Sequence, residues 1–402
     1  MGLFKALSLI LMLTAHLSAY SATELTLYLS PKGDDGLDGQ SASRSILSLK
    51  RAHQLIAAHF KKSPSNVNVL IAPGTYYNQT VVWTTAHPQY QIRIKSAVAD
   101  KKPVFDGRSD GTQTLGSQRS FFIMKNFSGA TNITLENLFI RFYAEAVGLN
   151  GDRDNEKTGF NSHNKILNMT FDKIGSRYHV DQASPGYAVL RLVNSKKNEI
   201  KGNIFSNILN KTRPELLHSI YAAHYSHENV IEGNVFKKQP GDPLRVRDFS
   251  NFNIINKNEF ESAGAYAYSE WYCEKAESSA CTKKDPECPS WGNVMRSNIY
   301  SGSGLFHYYV RPNFSNSNSA CKTKAPAKAE NKRLRTSLNV TSKDGAGTKT
   351  PKGYLIESRL NTKVNTGYCP RPTDCVSTGG SCYVNGGGTS NHLCVNNDWR
   401  SR

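Results

Sequence analysis

An asparagine-anchored motif recurs through the middle of the chain and restricts the folds open to it. It stands as Asn198-Glu-Ile-Lys-Gly-Asn203-Ile-Phe205 and again as Asn229-Val-Ile-Glu-Gly-Asn234-Val-Phe236. It returns at Asn253 to Phe260 and at Asn293 to Tyr300. An earlier copy runs from Asn132 to Phe139, and a weaker one from Asn164 to Phe171, where Met169 replaces the second asparagine. The starts are 32, 34, 31, 24 and 40 residues apart. A constant motif at a variable interval fits a solenoid, whose coils share an inner part and differ in their loops. Apolar residues at alternate positions make the inner parts strands. Asparagine is expected at the bends, where it tolerates left-handed backbone. Stacked coils then repeat at the strand spacing of about 4.8 Å.

The chain before the repeats reads as strands around one helix. Strand-like runs lie at Leu25 to Leu29, Val67 to Ala72, Thr80 to Trp83, Ile92 to Lys95 and Val104 to Gly107. Ser43 to Phe60 reads as an amphipathic helix capped by Ser43 or Ser45, with Ile46, Leu49, His53, Ile56 and Phe60 near one face. In a solenoid such a helix closes the first coil and hides its open edge. The loop from Ser30 to Gly39 holds Asp34, Asp35 and Asp38. Calcium is the one cation these suggest, but their spacing does not fit an EF-hand, and a turn-rich loop is the plainer reading. No cofactor is required by the sequence.

Lys5, the apolar run Ala6 to Leu13, and small residues at Ala19 and Ser21 read as a signal peptide over residues 1–21. That run is too short to span a membrane, so a secreted or periplasmic protein is expected. The eight cysteines, from Cys273 to Cys394, all lie in the last third, and none forms a C-x-x-C pair. In an exported chain this implies disulfides rather than a metal site. The formal net charge is +18, but Lys322 to Lys363 alone holds eleven Lys/Arg against Glu330, Asp344 and Glu357. Basicity suits a polyanionic partner such as an acidic polysaccharide, and no nucleic-acid motif accompanies it. The repeat fades after Phe314. Residues 22–314 are therefore read as the solenoid domain, and 315–402 as a basic linker and a Cys-rich segment. A monomer is expected.

The motif asparagine serves as a ruler. Tyr221 lies eight residues before Asn229, as Arg245 lies before Asn253; His224 and Asp248 each lie five before. Coils in register therefore stack Tyr221 on Arg245 and His224 on Asp248. Along Leu244-Arg245-Val246-Arg247 the arginines face away from the core, since side chains alternate on a strand. The next coils bring Tyr268, Glu270, Trp271 and Tyr272, then His307. The candidate catalytic set is His218, Tyr221, His224, Arg245, Arg247 and Glu270. The candidate substrate-binding set is Asp248, Tyr268, Trp271, Tyr272 and His307. The interval of 40 residues contains an insertion with Cys273, Cys281 and Cys288, which can wall one side of a groove.

Tyr28-Leu-Ser-Pro-Lys-Gly33, Ala72-Pro-Gly-Thr-Tyr76, Phe105-Asp-Gly107 and the asparagine coils resemble the right-handed parallel β-helix, pectin-lyase-like superfamily. The resemblance covers roughly Leu25 to Phe314 and implies an all-β solenoid with an N-terminal capping helix and a disulfide-rich C-terminal appendage. In pattern the coils look most like the chondroitinase B and alginate lyase branch. That branch uses a lysine base on one coil with an arginine on the next, but the coil from His218 to Asn229 has no lysine. His224 or Tyr225 stands about where it would be. The resemblance does not choose an activity. A polysaccharide lyase on a uronate polymer, or a related epimerase, needs a cation on the carboxylate, a base and an acid. Arg245 and Arg247 suit the first, His224 or His218 the base, and Tyr221 either proton-transfer role. A non-catalytic glycan-binding or surface-binding solenoid is the alternative. A glycoside hydrolase is a further one and would draw a carboxylate pair from Asp242, Asp248 and Glu270.

Overall fold

The computed structural model describes residues 24–126, 128–273, 287–301, 306–310, 321 and 333–337, with short strands at 340–341, 356–359, 362–363, 381–383 and 393–395. The residues expected to form the signal peptide lie outside the described residues. Among the described residues, the strands form three long parallel sheets of 11, 10 and 8 strands. Each coil contributes one strand to each sheet in turn. For example, Glu199–Lys201 is followed by Ile204–Ile208 and then by His218–Ala223, and each pairs with its counterpart in the next coil. The chain is a parallel β-helix. No helix among the described residues is long and apolar enough to cross a membrane.

From Asn164 onward the motif asparagines are not at the bends. Their side chains run as two buried ladders inside the coil. Asn164, Asn198, Asn229, Asn253 and Asn293 form one: each backbone N–H donates to the next residue's Oδ1 at 2.9–3.0 Å. Asn203, Asn234, Asn258 and Asn298 form the other, again at 2.9 Å. The left-handed bend residues are their predecessors, such as Lys197, Glu228 and Phe252. The copy at Asn132 is displaced by one residue. Asn132 and Asn137 themselves have positive φ, and Ile133 stands in the ladder position, donating to Asn164 Oδ1. Likewise Ile140, not Phe139, continues the aromatic column, pairing with Phe171. From there Phe171, Phe205, Phe236, Phe260 and Tyr300 stack with centroids 4.9–5.3 Å apart. That spacing equals the rise per coil, so one aromatic per coil packs face to face along the axis.

The capping helix is Leu49–Lys62, shorter at its start than the periodicity suggested. Ser48 caps it, accepting from Arg51 N at 3.0 Å. Asp35 holds the preceding chain extended, accepting from the backbone N–H of both Leu47 and Ser48 at 2.9 Å. Leu49, Ala52 and Ile56 are buried against the first coil. Asp34 closes a turn at Gly36, and Asp38 pairs with Arg44, so all three loop aspartates serve local structure.

The solenoid does not stop at residue 314. Leu334–Ser337 pairs with Asn293–Arg296, and Ile356–Arg359 pairs with Leu334–Ser337. Val340–Thr341 and Thr362–Lys363 extend the second sheet. Part of the segment read as a linker therefore builds further coils, and Arg333 and Leu334 are buried. Of the cysteines after Cys321, Cys382 and Cys394 lie opposite each other in the strands Ser381–Tyr383 and Leu393–Val395, which pair antiparallel, and Cys369 and Cys375 lie outside the described residues.

Candidate functional site

The third sheet carries the candidate residues. Its strands Ala188–Val193, His218–Ala223, Leu244–Arg247 and Tyr266–Trp271 lie side by side. Leu190, Ile220 and Leu244 share the inward face, as do Leu192, Ala222 and Val246. The outward face therefore shows two columns. One places Arg191, Tyr221 and Arg245 on successive coils. The other places Val193, Ala223, Arg247 and Trp271.

The stacking read from the ruler is present. Tyr221 pairs with Arg245 in register. The His224 ring and Asp248 carboxylate meet at 2.8 Å (Nδ1 to Oδ2) at the corner that ends the two strands. Arg247 reaches back to this coil, its Nη1 donating to the Tyr221 hydroxyl at 3.2 Å. Both corners use left-handed residues, His224 with Tyr225 and Asp248 with Phe249. The backbone therefore turns sharply and leaves the His224 and Asp248 side chains against each other.

Four of the named residues leave the outer face. Tyr268 and Glu270 pair in register with Leu244 and Val246, and so point inward. Tyr268 is buried and its hydroxyl accepts from Asn293 Nδ2 at 3.2 Å. Glu270 is buried, accepts from Ser290 N at 2.7 Å and pairs with Arg333. Tyr272 is fully buried beneath the Arg333 guanidinium. His218 shares the inward parity of Ile220 and is buried, with Nδ1 against the Asp242 carbonyl at 2.7 Å. Burial first, and then the nearby Arg245 charge, hold its imidazole well below its ordinary titration range. Trp271 stays outward and half-exposed beside Arg247. The side chain of His307 lies outside the described residues.

Two residues that sequence reasoning did not name belong here. Arg191 stacks on Tyr221 and donates from Nε to Asn150 Oδ1 at 3.2 Å. The eight-residue ruler lands on Leu190 instead, because Asn194 alone turns the corner that His224 and Tyr225 turn together. Its alternating run, Val189 to Val193, was the available signal. The other is Glu287, buried at the return of the insertion, whose Oε2 accepts from Arg247 Nε at 2.7 Å and from Cys273 N at 3.0 Å. Burial pulls the Arg247 guanidinium down, but the Tyr221 phenol and Glu287 carboxylate outweigh it and hold it above its ordinary value.

His224, Asp248 and Glu287 place ligand-type atoms within 4.8 Å of one another. Their atoms are engaged by one another, by Arg247 and by the Cys288 N–H, which donates to Asp248 Oδ1 at 3.1 Å. This is the bonding of a charge network. Arg245 donates to Asp242 Oδ2 at 3.2 Å, and its Nε has no partner among the described residues. Asp242 also accepts from Tyr266 N at 3.0 Å. The three carboxylates considered for hydrolysis are thus each committed to structural bonds. Among the described residues, a separate polar groove of about 360 Å³, lined in part by Asn66, Gln91, Asn132 and His163, runs along another corner of the coils.

No family model matches the chain, and no curated protein does. Solved structures do align with it. A pectate lyase, Pel9A, aligns over 89% of this chain and 84% of its own at 14% identity, with a TM-score of 0.42. A glycoside hydrolase aligns over 85% of this chain and 95% of its own at 8% identity, with a TM-score of 0.49. An alginate lyase from Paenibacillus sp. str. FPU-7 aligns over 83% and 99% at 8% identity, with a TM-score of 0.38. At these identities the likeness is one of fold.

Proposed function

We propose that this chain is an exported carbohydrate-active protein that cleaves an acidic polysaccharide by β-elimination at the outward face of its third sheet. One observation carries the reading: Arg247 holds the Tyr221 hydroxyl at 3.2 Å, one strand end away from the His224–Asp248 pair. That combination supplies an acid and a base beside a row of guanidinium groups.

The roles follow from the chemistry. Arg191 and Arg245 face the substrate and neutralise its uronate carboxylate, which acidifies the neighbouring C–H. With Nδ1–H donating to Asp248, His224 keeps Nε2 as an acceptor, and that nitrogen takes the proton. Tyr221 gives its proton to the leaving glycosidic oxygen. Arg247 then stabilises the phenolate that remains, by a charge-assisted bond to its oxygen. Trp271, half-exposed beside Arg247, offers a surface on which a sugar ring can stack. Proton abstraction without elimination would make the same site an epimerase.

A binding role without turnover is the second reading. It is favoured by the pairing of Arg245 with Asp242 and Arg247 with Glu287, which already neutralises much of the ledge. Incubation with alginate, pectate and glycosaminoglycans, followed by ultraviolet absorbance of the unsaturated uronate, separates the two. Absorbance that rises on one polymer supports the lyase. Retained binding with no absorbance and no epimerised product on any of them supports the binding protein.

A further inference from the structure

In two successive coils the corner after the third sheet is two residues long, His224–Tyr225 and then Asp248–Phe249. In the next coil the strand ends at Trp271, and Ser290 holds the equivalent place in the stack, accepting from Ser250 N at 3.1 Å. Both ends of the segment between them are stitched to the coil below. Cys273 and Glu287 meet through a 3.0 Å bond from Cys273 N to the Glu287 carboxylate. Cys288 donates from N to Asp248 and accepts at its carbonyl from Phe249 N at 2.9 Å. Its sulfur is bonded to Cys321, which arrives from 33 residues further on.

We infer that this return segment is a disulfide-held clasp and that Glu287 is a positioning residue for the Tyr221–Arg247 pair. Arg247 has a long side chain with rotamer freedom, and its guanidinium must give Nη1 to the Tyr221 oxygen to be of use. Glu287 fixes the opposite edge of that group through Nε, at 2.7 Å, from a buried position where water cannot substitute. The same segment supplies the N–H that orients Asp248 toward His224. The arginine and the histidine–aspartate pair are thus both set by residues next to one disulfide. The geometry of the site should depend on the oxidation of Cys288 and Cys321, whereas the coils below, closed by their own ladders, should not.

The catalytic meaning of this rests on the proposed function, but the positioning is measurable without turnover. The probe is the side-chain Nε–H signal of Arg247 in the NMR spectrum of the full-length oxidised protein, assigned by its loss in Arg247→Lys. We expect a slowly exchanging signal that disappears in Glu287→Ala and in Cys288→Ala/Cys321→Ala, with the far-ultraviolet circular dichroism of the solenoid retained. Glu287→Gln should restore part of the protection, since its amide oxygen can still accept the bond. Protection that survives in both Glu287→Ala and the double cysteine variant overturns the proposal. If Glu287→Ala does not fold, the double cysteine variant and Glu287→Gln decide it. On a cleaved polymer, both perturbations should lower kcat about tenfold or more with little change in KM, as expected for a misplaced proton-transfer group. Absence of cleavage with the NMR result intact would reject the lyase reading and leave the clasp standing.

Discussion

Arg247 donates to the hydroxyl of Tyr221 on the preceding coil while its Nε is held by Glu287. This one side chain joins the outer face of the third sheet to the insertion. Its removal should therefore be costly. Arg247→Ala leaves the Glu287 carboxylate buried without its cation and should destabilise the protein by about 3 kcal/mol, read from urea or guanidinium unfolding. A double Arg247→Ala/Glu287→Ala variant should recover part of that loss. Equal stability of the wild type and Arg247→Ala would show that the pair is not coupled.

Proton transfer at the corner makes a separate prediction. His224→Ala should lower turnover on the cleaved polymer by about two to four orders of magnitude, the usual contribution of a positioned acid or base. Asp248→Asn should also lower it, since the amide can no longer hold the imidazole as the carboxylate does. Both variants should still bind the polymer in a co-sedimentation or calorimetric assay. Undiminished turnover in His224→Ala would remove this residue from the mechanism.

Binding of an acidic chain should be felt at Arg191. Arg191→Ala should weaken affinity for the polymer and flatten its dependence on salt, because one guanidinium contact is lost while the Tyr221 and Arg247 geometry remains. Calorimetric titrations at two ionic strengths measure both effects. An unchanged affinity would place the polymer elsewhere.

The asparagine ladders should carry much of the stability. Asn234 donates from Nδ2 to the Ile200 carbonyl at 2.9 Å and to Asn258 Oδ1 at 3.0 Å, while its own Oδ1 accepts from Asn203. Asn234→Ala orphans buried groups above and below it and should cost about 3 kcal/mol. Phe236→Ala, which opens a gap in the aromatic column, should cost about 3–5 kcal/mol. Chemical denaturation of each variant checks these values, and a shift within error of zero would contradict them.

Acid should weaken the fold through His218. Its imidazole is held well below the ordinary value of 6.5, chiefly by burial, so the unfolded chain binds a proton there that the folded chain does not. Stability is then fully present above about pH 6.5 and is lost as pH falls below that value toward the depressed folded one. Unfolding midpoints across that range should decline with acidity, and His218→Asn should flatten the slope. An equal slope in the variant would assign it to other groups.

Much of the fold was legible in the residues because one unit repeats. Asn198, Asn229, Asn253 and Asn293 mark equivalent places in four coils, and their spacing correctly stacked Tyr221 on Arg245 and His224 on Asp248. The ruler failed where a corner changed length by one residue. It passed over Arg191 beside Asn194, and it treated Asn132 as equivalent to Asn164, although Ile133 holds that position and Asn132 sits at the bend. A period-two strand turns such a slip into the opposite face.

The sequence alone determined a stacked β-solenoid, because an inner apolar alternation and a recurring asparagine leave few other ways to bury one and satisfy the other. It also located the coils where histidine, tyrosine and arginine converge. Which of those side chains face outward was decided by the tertiary structure. Tyr268 and Glu270 lie in the same strand as the outward Trp271, yet their pairing with Leu244 and Val246 turns them into the core. Glu287 and Arg333 reach Arg247 and Glu270 from 40 and 63 residues away. No local pattern records such a contact, since it arises only when distant segments close on the same coil and a buried charge must find its partner there.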